Sequence, residues 1–102
     1  MRTKAKSVKA SGTAPVLPKV AELTESEIRC LTWLYDIYPQ SLMITTMRHL
    51  LEESYVVTWT LCKKFAALEL ITLSTDANRA RMIAMNKSGK DYVDAADITS
   101  LA

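Results

Sequence analysis

Apolar residues change their spacing several times along the chain. Residues 1–20 (MRTKAKSVKASGTAPVLPKV) show no period. Their Ser, Thr, Gly, Pro and scattered Lys predict a flexible arm, with Val16, Leu17 and Val20 as candidates to dock its end on the body. Helical spacing begins after Thr24. Thr24 and Glu27 make a capping box, Leu23 stands before it as a staple, and Ile28, Leu31, Leu34, Tyr35 and Tyr38 follow until Pro39 stops the helix. Leu42, Met43 and Ile44 form a short apolar strand, after which Thr45 is the expected cap of a short helix with Met47, Leu50 and Leu51 inside. Glu52, Glu53 and Ser54 read as a turn. A third helix spans about 55–68, with Val57, Thr58, Leu61, Phe65 and Leu68 on its inner stripe and Val56, Trp59, Thr60, Lys63 and Lys64 on its outer one.

Beyond Leu68 the period shortens. Leu70 to Thr75 is rich in β-branched residues and reads as a strand. Asp76 to Arg79 form an Asx-type turn, and Arg81 to Met85 return as the second strand of a hairpin. A last helix starts near Asn86–Ser88 and carries Tyr92, Val93 and Ala96, with Ile98 and Leu101 as candidates for its continuation. The expected fold is mainly α with a small β-hairpin: one domain over 21–102 behind a basic arm over 1–20. The expected core is Ile28, Leu31, Leu34, Leu51, Leu61, Phe65, Leu68, Ile71 and Ile83.

Composition narrows the chemistry. Two glycines in 102 residues argue against phosphate-cradling loops. Cys30 and Cys62, with His49 as the only histidine, cannot complete a zinc site and give no nucleophile–base pair, so neither a metal nor a cofactor nor an enzymatic activity is expected. The cysteines read as small buried hydrophobes in a reducing compartment. No apolar run reaches the roughly 20 residues of a membrane span, and no signal-peptide core follows the N-terminal lysines, which predicts a cytoplasmic protein. Charge is asymmetric. Residues 1–20 hold five cations (Arg2, Lys4, Lys6, Lys9, Lys19) and no acid, whereas 21–102 hold eight basic and eleven acidic residues. A basic tail points weakly to nucleic acid, and any contact by the body must be local.

A helix–turn–helix followed by a hairpin is the winged helix-turn-helix plan, and the finer pattern resembles MarR-type regulators. LMITTMR (42–48) stands where the family opens its second helix with L-T-x-S-E-L-A. LELI (68–71) stands for L-x-x-x-G-L-I, ANRA (77–80) for the wing Arg-Ala, and MNKSG (85–89) for L-T-x-x-G. The four stretches align without gaps from Leu42 to Gly89, and the likeness covers about 23–97. The family's long dimerising helices have no counterpart in it. Two departures stand out. Glu53 occupies an apolar position of the turn, leaving Tyr55 as candidate filler. Glu69 replaces a glycine, so the third helix is expected to end without a left-handed glycine cap.

The resemblance implies a double-stranded DNA-binding transcriptional regulator, nucleoid-associated and homodimeric. Its third helix would lie in the major groove and its wing, about 74–82, at the minor groove. Val56, Trp59, Thr60 and Lys63 would face base edges, with Lys64 beside them on a solvated flank. Trp59 has an equal alternative under the wing or in a dimer seam. Arg79 would enter the minor groove, Asn78 would position it, and Arg81 would hold a phosphate. Thr45 and Arg48, placed near the start of the second helix, would hold another. Arg2, Lys4, Lys6 and Lys9 would add affinity from the arm. Tyr92, Val93 and Ala96, with apolar residues of the first helix, are the candidate dimer seam. Two other functions stay open: a winged-helix adaptor for a protein partner, and a DNA-organising or partition protein with little sequence preference.

Overall fold

The computed structural model describes residues 16–97. Thr24 opens α1 (Glu25–Ile37) as a reciprocal cap: its hydroxyl accepts the Glu27 amide at 3.1 Å, and the Glu27 carboxylate accepts the Thr24 amide at 2.8 Å. β1 (Ser41–Met43) runs directly into α2 (Ile44–Leu51), and α3 (Tyr55–Ala67) follows a tight turn. β2 (Ile71–Thr75), β3 (Arg81–Met85) and α4 (Lys87–Ala96) complete the order. The sheet is antiparallel with β3 in the middle: Ser41 lies opposite Ala84, and Ile71 opposite Met85.

One core joins helices and sheet. Leu31, Leu34, Leu51, Leu61, Phe65, Ile71 and Ile83 are buried as expected, while Ile28 and Leu68 pack half-buried against them. Val57 departs from its expected inner place and is 44% exposed. The buried face of α3 is Thr58, Leu61, Cys62 and Phe65, an i, i+3, i+4, i+7 stripe that leaves Val57 on its edge. Thr58 is tolerated there because its hydroxyl donates to the Ser54 carbonyl at 2.9 Å. Cys30 and Cys62 are fully buried and reduced. The hydrogen bond to Cys62, and then burial, push the Cys30 thiol well above its ordinary range.

Three expectations about the helices are corrected. Thr45 does not cap α2: the helix already begins at Ile44, Met43 is its N-cap, and Thr45 is exposed in the first turn. Because α2 is only eight residues long, Arg48 falls in its last turn, not near its N-terminus. Tyr55 does not fill the turn; it is 37% exposed, and Glu53 is instead fixed by the Ser26 hydroxyl, which donates to its carboxylate at 2.6 Å.

Both helices of the helix–turn–helix end on a left-handed glutamate. Glu52 has φ 56° and Glu69 has φ 64°. After α3 the Glu69 amide donates to the Ala66 carbonyl at 3.0 Å and the Leu70 amide to the Phe65 carbonyl at 3.0 Å. This is a Schellman closure with buried Leu70 packed at its hydrophobic end. The Glu52 and Glu53 amides repeat the pattern on His49 and Arg48, each at 3.2 Å. The left-handed cap is therefore present without its usual glycine.

Glycine is required elsewhere. Asn86 caps α4 by accepting the Gly89 amide at 2.8 Å, and its own amide donates to the Leu70 carbonyl at 3.2 Å. A Cβ on Gly89 would come within 2.0 Å of that carbonyl oxygen. α4 then lies along α1. Val93 is buried, Ala96 packs on the core, the Tyr92 hydroxyl donates to the Pro18 carbonyl at 2.6 Å, and Tyr35 donates to Asp94 at 2.5 Å. The residues expected to form a dimer seam are thus engaged within the domain. Of the arm's docking candidates only Val20 packs on the core; Val16 is 89% exposed and Leu17 also points outward. Ile98 and Leu101 lie outside the described residues.

Candidate nucleic-acid interface

The surface opposite the buried stripe of α3 carries Val56, Thr60 and Lys63, successive neighbours at four- and three-residue steps. Ser54 caps the helix by accepting the Val57 amide at 3.2 Å, which fixes where this stripe begins. Val56 is 71% exposed, unusually open for a β-branched apolar side chain in a helix. Thr60 and Lys63 are also exposed.

Trp59 sits between this stripe and the wing. It is half-buried against the core, and the Arg81 guanidinium from β3 lies over its ring, 4.2 Å from the centroid. Lys63 Nζ approaches the same ring at 5.8 Å. Arg81 Nη1 also donates to the Tyr55 hydroxyl at 3.3 Å. The under-the-wing position weighed for Trp59 is the one it takes. Sequence reasoning gave Tyr55 no part in the site. The available signal was its four-residue spacing from Trp59, which sets two aromatics on one ridge.

The wing turn is tied tightly. Asp76 Oδ1 accepts the Asn78 amide at 2.8 Å and the Ala80 amide at 2.9 Å, and the Arg79 amide donates to the Asp76 carbonyl at 3.0 Å. Arg79 stands at the tip in the left-handed region, φ 66°, with its side chain exposed.

Other expected site residues stand apart. Lys64 turns toward α1, where its ammonium meets the Glu27 carboxylate at 2.6 Å. Burial alone raises the Glu27 pKa, but hydrogen bonds from Lys64 and from the Thr24 backbone outweigh it and hold the group below its ordinary value. Thr45 and Arg48 lie on α2, and neither shares a hydrogen bond, ion pair or ring contact with Trp59 or Arg81 among the described residues. Arg2, Lys4, Lys6 and Lys9 lie outside the described residues. Among the described residues the ion pairs are Lys64–Glu27, Lys87–Asp91 and Lys90–Asp94; Lys63, Arg79 and Arg81 have no carboxylate partner. No helix among them is long and apolar enough to cross a membrane, and no cluster of three or more His, Cys, Asp or Glu is placed to hold a metal.

Beside α3, a groove of about 430 Å³ runs to the N-terminus of α1, lined by Glu27, Glu53, Val56, Val57, Leu61 and Lys64 among others. Val56 and Thr60 of the outer stripe also line this groove.

Known structures decide the fold. MepR, a transcription regulator of the Staphylococcus aureus multidrug efflux pump MepA, matches with a TM-score of 0.68 at 23% identity, covering 79% of this chain and 58% of its own. The fold is a MarR-like winged helix. An S. aureus MepR–DNA complex matches this winged helix equally well, with a TM-score of 0.68, 22% identity, and coverage of 78% and 66%. A MarR family transcriptional regulator from Silicibacter pomeroyi has a TM-score of 0.64, 22% identity, and coverage of 78% and 56%. The chain spans less than two thirds of the length of each of these proteins. No protein-family model and no curated protein matches the sequence.

Proposed function

We propose that the protein binds double-stranded DNA as a transcriptional regulator, with α3 in the major groove and the wing at the minor groove. The observation that carries this reading is the grouping of cations. Lys64, Lys87 and Lys90 are paired with carboxylates, whereas Lys63, Arg79 and Arg81 lie along the outer face of α3 and the wing, exposed and with no ion pair among the described residues. Such cations gain by displacing counterions from phosphates. The exposed Val56 and Thr60 between them suit thymine methyl groups, and Lys63 suits a guanine edge or a phosphate. In this assignment Arg79 enters the minor groove with Asn78 at its side, and the basic arm adds affinity. Lys64 is left to the fold. Two copies would act on paired half-sites, as a single winged helix covers a short sequence. The protein would then work at the nucleoid. The DNA-bound MepR with the same fold supports the reading.

The groove beside α3, with Val56 and Val57 exposed along it, favours a second reading as a protein-binding winged helix. Gel shifts on genomic fragments and on mixed-sequence duplex, at two salt concentrations, separate the two. A regulator prefers particular fragments at the higher salt. A DNA-organising protein binds all fragments alike. Absence of binding at the lower salt leaves the adaptor.

A further inference from the structure

We propose that Tyr55 and Trp59 are positioning residues: together they hold Arg81 as a preset phosphate clamp, so that wing and recognition helix engage DNA as one unit. The inference deepens the DNA-binding reading and rests on it. Arg81 is the first residue of β3 and its side chain is exposed. A free arginine there would sweep through many rotamers. Instead its guanidinium lies 4.2 Å from the Trp59 ring centroid, and one of its nitrogens reaches the Tyr55 hydroxyl at 3.3 Å. Both aromatics belong to α3, one turn apart, and Trp59 is anchored in the core cluster's edge. The platform is therefore part of the rigid body.

The chemistry of the pose matters. A guanidinium stacked by its face keeps its edge donors free, and only one of its five N–H groups is committed, to Tyr55. No carboxylate among the described residues competes for the rest. Planar stacking and forked donation are properties of arginine that lysine lacks. Lys63 Nζ, 5.8 Å from the same ring, adds a second cation on the helix side. In this arrangement Trp59 acts on DNA through Arg81 and does not itself read a base.

Phosphate contacts are independent of sequence, so a mixed-sequence 30-bp duplex is a sufficient probe. Affinity is measured between 50 and 200 mM KCl for the full chain and its variants, with a thermal melt of each. Arg81→Ala should weaken binding several-fold and reduce the salt slope by about 1. Trp59→Leu should weaken binding to a similar extent although it removes no charge, and it should cost nothing further in the Arg81→Ala background. Trp59→Phe should restore most of the affinity. If the two losses multiply, or if Trp59→Leu alone is silent, the positioning role is wrong. Should Trp59→Leu fail to fold, Arg81→Lys and Tyr55→Phe decide. Both leave the core intact, and each should weaken binding in the wild type; unchanged affinity in both overturns the proposal. A folded wild-type chain that binds no duplex at 50 mM KCl removes the DNA-binding reading, and this inference with it.

Discussion

Lys64 on α3 reaches across to Glu27 on α1 and closes a 2.6 Å ion pair whose acid end is nearly buried. Glu27 is at the same time the third residue of its own helix, accepting the Thr24 amide. One carboxylate thus completes a helix cap and ties α3 to α1.

This double use gives a pH signature. The folded-state pKa of Glu27 is held low, so its contribution is present above the unfolded pKa of about 4. It is lost as pH falls through the lower folded value. Glu27→Gln keeps the cap but removes the charge. Denaturant unfolding should show a loss of about 1 kcal/mol at pH 7, modest because Lys64 is 46% exposed. The gap between variant and wild type should close in acid. A gap that widens in acid would contradict the assignment.

The close approach of α4 to the hairpin makes Gly89 intolerant of any side chain. Gly89→Ala must move the Leu70 carbonyl or the α4 N-terminus. Destabilisation of about 1–3 kcal/mol is expected, as for overpacked sites. A melting temperature equal to wild type would mean that the strand and helix separate more easily than the geometry implies.

The left-handed glutamates point the other way. Glu69→Gly removes the crowding of a Cβ at φ 64° and should stabilise the fold by about 1 kcal/mol, partly offset by the added freedom of the unfolded chain. Glu69→Val should do the reverse, because a β-branched side chain suits that region least. Equal stability of the two variants would show that the Schellman closure relaxes without effect.

The proposed base reading by α3 can be tested separately from the proposed phosphate binding. Duplexes enriched from a random pool should lose affinity when thymine is replaced by uracil, and Val56→Ala should abolish that difference. Thr60→Ala and Lys63→Ala should each cost about 1–3 kcal/mol on enriched duplex and much less on random DNA. Arg79→Ala should weaken binding to all sequences, most on A·T-rich flanks. If Val56→Ala leaves thymine preference intact, the methyl contact belongs elsewhere.

Element order and much of the core were legible because the relevant signals are local. The Thr24–Glu27 box set the start of α1, and Arg81–Met85 was found at its true bounds. What escaped depends on contacts distant in sequence. Nothing near Lys64 reveals that its partner is Glu27, nor does the neighbourhood of Tyr55 reveal Arg81. The Thr45 cap failed because β1 feeds straight into α2, so the helix starts one residue before the favourable cap type. Val93 read as part of a dimer seam, because its burial within the domain, on a helix that packs against α1, shows only in the tertiary structure.

Asp76 puts a negative charge into the loop that would approach phosphates. In return its carboxylate gathers two backbone amides and leaves the tip few ways to move. A loop so constrained arrives at a groove already shaped, and little order has to be created at the moment of contact. Wing docking then depends on the angle at which the whole domain arrives. With so rigid a tip, the proposed wing contact would sense groove width: a narrow groove would grip Arg79, and a wide one would let it pass.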